Sequence, residues 1–277
     1  MQRTFLTAFL FILLAGCSHA ETEQIPVPIF FNAGYNLSVG VTTRAPIYDI
    51  DQMEPIQILR SDGTANYSSH TAPDLTGIVA ADGTVTPSIP QYYDQSGVQA
   101  NFLAFYPAAR SIQGGIANFK ITGQEDVTAA QNVYGGSYSS PATVTLAFRH
   151  LLAQIRIMVS AQNASVASSW GPLTYIKIAT PTSLDMNLNA WPVLNPASDP
   201  ENEYIPTSIG NNASQTITTT YASAGSLMIS TTNYPVQLKV KTANKTEQTI
   251  NTSVWYLNYA NVYTIRLFFK NNSIEVQ

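Results

Sequence analysis

The only cysteine in the 277-residue chain, Cys17, is the one side chain whose position by itself implies a covalent reaction. It closes an apolar run that begins at Phe5, after a basic start at Arg3. A positive segment followed by a short apolar one is the layout of a bacterial export signal. The run falls short of the roughly 20 apolar residues needed to span a bilayer. Leu14, Ala15, Gly16 and Cys17 have the form of a lipobox, which is cut just before the cysteine. The thiol then takes a diacylglycerol. The alternative is a plain signal peptide that happens to hold a cysteine. On the lipobox reading, residues 1–16 are a leader and 17–24 a polar tether. Acyl chains would then hold the mature chain on a membrane. Ser18, rather than an aspartate, sends such a protein to the outer membrane.

The second candidate is Arg44, between Thr43 and Ala45-Pro46. An arginine among small residues beside a proline marks an exposed link open to a protease, or an ordinary loop. Other chemistry is sparse. His19, His70 and His150 are far apart, with no cysteine or carboxylate at metal-ligand spacing. Asp199, Glu201 and Glu203 carry calcium-binding groups but lack the glycine and ligand alternation of a calcium loop. Glu125 and Asp126 are adjacent and would face opposite ways in a strand, a poor acid/base pair. No nucleophile elbow or phosphate loop occurs. The expectation is a protein without catalysis, metal or cofactor.

Composition agrees with an extracellular role. Charged residues make up 11% of the chain, against about 25% in an average soluble domain. Thirteen basic residues stand against 17 acidic ones, a balance that does not attract nucleic acid. One cysteine excludes a disulfide framework, so the core must hold the fold.

The elements that carry these residues read as strands. Ile25, Val27, Ile29 and Phe31 alternate, then, after a turn-like break at Asn32 to Asn36, Leu37, Val39 and Val41. Pro26 and Pro28 suggest an edge for the first run. Asp62-Gly63 and Asp82-Gly83 are hairpin-type turns. Phe102, Ala104 and Tyr106 oppose Leu103 and Phe105, a strand buried on both faces. Val144, Leu146 and Phe148 alternate, as do Ile155, Ile157 and Val159, out of phase. A turn or bulge between His150 and Gln154 accounts for the shift, although a helical stripe competes there. Tyr263, Ile265, Leu267 and Phe269 share a face, and a last extended piece runs from Ile274 to Gln277. Short strands at close spacing predict an all-β sandwich or barrel fold. The softer stretch before Pro141 suggests two domains, 25–140 and 141–277.

The order of these features resembles the fimbrillin-like (Mfa-like) lipoproteins, subunits of type V pili. The matching parts are the lipobox, Val41 to Ala45, Phe102 to Pro107, Val144 to Ile157, and Tyr259 to Leu267 with the terminal strand. The resemblance implies two tandem transthyretin-like Greek-key β-sandwich domains after a lipoprotein signal peptide. It implies export to the outer membrane, then cleavage by an arginine-specific protease. Arg44 matches the cleavage position, and Arg60 is the fallback. The excised strand would lie within residues 25–41. The groove so opened would take a strand from residues 262–277 of another subunit, giving a cell-surface fimbrium. The implied function is a structural pilus subunit supporting adhesion, its receptor open. The alternative is a surface glycan-binding lipoprotein, with Trp170, Trp191 or Trp255 lining a sugar site. Those tryptophans could equally be core residues or loop anchors.

Overall fold

The structure, a computed structural model, describes residues 25–35, 52–197, 202–207, 214–231, 235–253 and 256–277. Cys17, Arg44, Trp255, Asp199 and Glu201 lie outside the described residues, as do the leader, the tether and the run from Leu37 to Val41. In chain order the first strands are β1 (Phe31–Tyr35), β2 (Ile56–Asp62), β3 (Leu75–Val79), β4 (Thr84–Pro87), β5 (Ala100–Tyr106), β6 (Ser111–Gln113) and β7 (Ile116–Lys120). They continue with β8 (Thr128–Tyr134), β9 (Gly136–Ser137), β10 (Ser140–Pro141), β11 (Val144–His150) and β12 (Ala153–Ala161). One helix follows, α1 (Ala164–Trp170). After it come β13 (Leu173–Pro181), β14 (Ser183–Asn187), β15 (Leu194–Pro196), β16 (Asn202–Pro206) and β17 (Ala222–Ile229). The last are β18 (Gln237–Thr242), β19 (Gln248–Asn251), β20 (Val262–Phe269) and β21 (Ile274–Val276).

The expected all-β class is what the chain adopts. Seven strands close into a ring in the order β1-β11-β8-β5-β2-β3-β4. Alternating side chains explain why. Phe31, Ile56, Ile58, Phe102, Ala104, Val144, Leu146 and Phe148 all point into one core. The opposite face of β2 and β5 is not wet. Leu59, Leu103 and Phe105 enter a second core with Phe119, Leu184 and Met186. A strand covered on both faces loses the polar alternation of a surface strand, as the sequence of β5 suggests.

β1 is not an edge. It pairs in parallel with β11, Phe31 opposite Val144, and antiparallel with β4, Phe31 opposite Val85. Pro26 and Pro28 precede the strand proper, so their missing N–H groups cost the ring nothing.

The sheet membership of the chain changes at Leu151–Leu152. β11 pairs with the ring strands β1 and β8, whereas β12 pairs with β17 and β20. The out-of-phase alternation around residues 150–154 is therefore a strand break, not a helix. Beyond it, sheet β17-β12-β20-β21 faces sheet β16-β13-β18-β19 across a third core. α1 begins at Asn163, whose Oδ1 accepts the Val166 N–H at 2.9 Å, and ends at Gly171 with φ 70°. Both are ordinary stop and start chemistry for a helix. Trp170 sets its ring edge-on to Phe269, 5.1 Å between centroids, and its indole N–H donates to the Lys270 carbonyl at 2.6 Å.

A fourth sheet joins β6 and β7 to β14 and β15, strands distant in the chain. β14 pairs antiparallel with β7, from Ser183 opposite Lys120 to Asn187 opposite Ile116, giving the order β15-β14-β7-β6. The middle core lies against this sheet, and each fully buried Leu or Phe there contributes about 1.5–3 kcal/mol.

Candidate functional site

The site worth building from the residues upward is the seat of β1. Val27, Ile29, Phe31 and Ala33 sit at every second position, as a strand requires. Ile29, Phe31 and Ala33 are buried in the ring core, and Val27 packs against it. Phe30, between them, is 67% exposed and faces away. Phe31 meets Phe102 edge-to-face at 4.9 Å, an arrangement that adds to simple burial.

Backbone hydrogen bonds hold the segment on both sides. The Ile29 N–H donates to the Gln91 carbonyl at 2.8 Å, and the Tyr93 N–H to the Val27 carbonyl at 3.0 Å. On the other side the Val144 N–H donates to the Phe30 carbonyl at 2.9 Å. Tyr93 braces the floor beside it. Its hydroxyl donates to the Gly135 carbonyl at 2.5 Å and accepts the Ala142 N–H at 2.9 Å.

Gly83 fixes how close β4 approaches. Its φ is 85°, its carbonyl accepts the Ala33 N–H at 2.7 Å, and a Cβ there would lie 2.6 Å from the Ala33 carbonyl oxygen. Gly83→Ala therefore combines a left-handed backbone, costing about 1–2 kcal/mol for an L-residue, with a clash against β1 itself. We expect a loss of about 2 kcal/mol or more, a fall in Tm of about 4–8 °C, and faster amide exchange at Ala33. A variant that melts with the wild type and keeps Ala33 protected would show that β1 is not pinned there.

The other sequence candidates are scattered. Arg60 lies inside β2, opposite Phe102 of β5. Its N–H donates to Asp74 Oδ2 at 2.6 Å, its Nε to Asp62 Oδ1 at 2.9 Å and an Nη to Gln91 Oε1 at 2.9 Å. His70 Nε2 lies 3.0 Å from the Arg60 carbonyl and 3.0 Å from Asp74 Oδ2. His150 Nδ1 lies 2.6 Å from Asp126 Oδ2, both side chains buried. Glu125 turns the other way, onto the Thr122 N–H and hydroxyl. Burial pushes the Glu125 carboxyl up, but these hydrogen bonds outweigh it and hold it below the ordinary carboxylate range. Glu203 pairs with Lys120 and accepts from the Thr182 hydroxyl at 3.0 Å, and these hydrogen bonds lower its pKa. Among the described residues no group of three or more His, Cys, Asp or Glu is arranged to hold a metal ion. Trp170 is core, 1% exposed, while Trp191 is 52% exposed.

Sequence reasoning missed two things. It placed the first run at an edge and ended it in a turn at Asn32 to Asn36, where the chain instead continues as β1 to Tyr35, and it did not foresee β7 joining β14. For the first, only the alternation was legible, running on from Ile29 and Phe31 to Ala33, and nothing local told that strands would arrive on both sides. The second had no signal, because pairing between distant strands leaves no local pattern.

Comparison with known proteins fits this architecture. A family model described as fimbrillin-like matches residues 43–277. No curated protein matches the sequence. A candidate cell adhesion protein of Bacteroides uniformis superposes with a TM-score of 0.63 at 15% identity, covering 91% of this chain and 96% of that one. A second candidate cell adhesion protein, from Bacteroides ovatus, gives 0.61 at 14% identity, covering 92% and 96%. A fimbrial protein of Bacteroides vulgatus gives 0.50 at 12% identity, covering 90% and 98%. At such identities the likeness is one of fold.

Proposed function

This chain belongs to the fimbrillin-like family, and on that premise we propose that it is a structural subunit of a cell-surface pilus. It is exported as a lipoprotein anchored through Cys17 to the outer membrane. Cleavage after Arg44 then frees it from the anchor and removes β1. A strand from another subunit fills the vacated seat, and repetition builds the filament that supports adhesion.

The observation that carries this reading is the place of β1 in the ring. Among the described residues it is the first strand, is short, and is the one strand that joins β4 to β11. Taking it away opens the ring at that point alone. The gap is lined by Val85, Phe102, Val144 and Leu146, with the backbone edges of β4 and β11 unpaired beside it. Unpaired edges beside an open core favour capture of a strand from another chain. A head-to-tail contact of this type gives a filament when its rotation does not close a ring. Arg60 suits a protease poorly, because its segment is already paired within β2. The donor on this reading is β21, since β20 is flanked on both sides and cannot leave.

The test is native surface material from wild type and Arg44→Ala. We expect a wild-type N-terminus at Ala45 and a ladder on unboiled gels, with the ladder lost in the variant. A lipidated Cys17 terminus and a single monomer band in both would overturn the reading.

A further inference from the structure

Where β11 gives way to β12, four segments converge on a pocket of about 550 Å³. Its wall is made by Leu151 at the strand break, Val193 to Pro196 around β15, Thr231 after β17, and the loop Tyr256 to Tyr259 before β20. None of these lining residues is charged. The volume is that of a small-ligand site.

Its aromatic content is unusual for a surface. Tyr256 is 69% exposed and Tyr259 40% exposed, and both line the pocket. The Arg149 guanidinium lies 5.1 Å from the Tyr259 ring centroid and 4.0 Å from that of Trp191, itself 52% exposed. Arg149 also donates to the Pro192 carbonyl, which fixes the stack in place. Single exposed aromatics need no explanation, but rings gathered around one concavity present a flat amphipathic face to a ligand.

The backbone points to the same loop. Among the described residues only two non-glycine residues have positive φ, Tyr256 at 53° and Ala260 at 58°, and they bracket it. A bulky residue in that region is an outlier that the surroundings must enforce. Here they do. Leu257 is buried, the Asn258 N–H donates to the Tyr263 hydroxyl at 2.9 Å, and the Ala260 N–H donates to the Leu152 carbonyl at 2.9 Å. The loop is anchored, yet the anchoring sends a large apolar ring into solvent.

We propose that this pocket binds a neutral saccharide, one or two pyranose rings, stacked on Tyr256 and Tyr259. A sugar offers an apolar C–H face to the rings and hydroxyls to Asn195, Thr231 and Asn258. Among the described lining residues none is charged, and the cation beside them, Arg149, is already engaged by Trp191, Tyr259 and the Pro192 carbonyl. A peptide is the poorer occupant, because the neighbouring edge strand β15 is three residues long and ends in Pro196. The lining includes no residue of β1.

Saturation-transfer NMR on the intact chain tests this. The probes are methyl glycosides of glucose, galactose, mannose and N-acetylglucosamine, the β1,4- and α1,4-linked glucose trisaccharides, and a proline decapeptide. We expect transfer to ring protons of at least one sugar, weakened tenfold or more in Tyr259→Ala and lost in Tyr256→Gly. Glycine suits a φ of 53°, so Tyr256→Gly should melt at or above the wild-type temperature, separating lost binding from lost folding. Transfer to no sugar, transfer unchanged in Tyr256→Gly, or Tyr256-dependent transfer to the peptide alone would each overturn the proposal.

Discussion

A chain that begins at Ala45 is expected to lose its monomeric state, and a peptide of residues 25–35 added to it is expected to restore one. The argument rests on what β1 buries. Ile29 and Phe31 are 4% and 2% exposed, and Ala33 is 7%. At about 1.5–3 kcal/mol for each large side chain, their removal costs roughly 5 kcal/mol. That is comparable with the whole stability of many domains. The loss also strips β11 and β4 of their partners, leaving backbone N–H and C=O groups that must find others. The truncated chain should therefore run as oligomers on size exclusion with light scattering, with a lowered first melting transition. The peptide should return a monomer, because it enters a slot of fixed direction, parallel to β11. A peptide carrying Phe31→Asp should fail, since it would bury a charge against Phe102. A truncated chain that remains monomeric and melts like the full one would show that β1 is dispensable, and strand exchange would have no basis.

The sequence carried much of this because most of the ring strands are covered on one face and half-wet on the other. β11 reads buried, exposed, buried, exposed, buried over Val144 to Phe148, and its alternation is legible without a structure. Turns were equally clear where glycine is required. Gly63 and Gly83 both have φ above 80°. Local rules fail where the outcome depends on distant chain. Whether β1 is an edge depends on Val85 and Val144 arriving on its two sides. Trp170 and Trp191 look alike in sequence, yet one fills a core and the other lies over Arg149. α1 escaped notice because seven residues with three serines show no helical stripe. Only its caps, Asn163 and Gly171, mark it. The aromatic pocket was invisible for the same reason as the β7–β14 pairing. Its parts come from the break after β11, from around β15, from just beyond β17 and from the loop before β20.

Removal of residues 271–277 is expected to leave a folded subunit that no longer extends a filament. Among the described residues β21 is the last strand of its sheet, paired with β20 alone, with Leu267 opposite Val276 and Phe269 opposite Ile274. Ile274 and Val276 are half-buried and Glu275 is exposed. Their loss therefore costs about 1–3 kcal/mol, far less than loss of β1. Two weaker ties also go, the Lys270–Glu275 ion pair and the hydrogen bond from the Tyr221 hydroxyl to Gln277 at 2.6 Å. Exposed pairs of this kind add little. The tail presents Ile274 and Val276 at alternate positions, which matches two of the three places that Ile29, Phe31 and Ala33 occupy in the ring. Two anchors and a short strand make a weak donor, so any loss of either should be decisive. Val276→Asp should then act like the deletion, abolishing ladders on unboiled gels while moving Tm by only a few degrees. The truncated chain, once cleaved after Arg44, should still be captured by the donor strand of an intact subunit and end the filament there. Ladders of normal length from the truncated chain would place the donor elsewhere. A truncated chain that unfolds outright would instead make β21 part of its own subunit's core, not a strand free to leave.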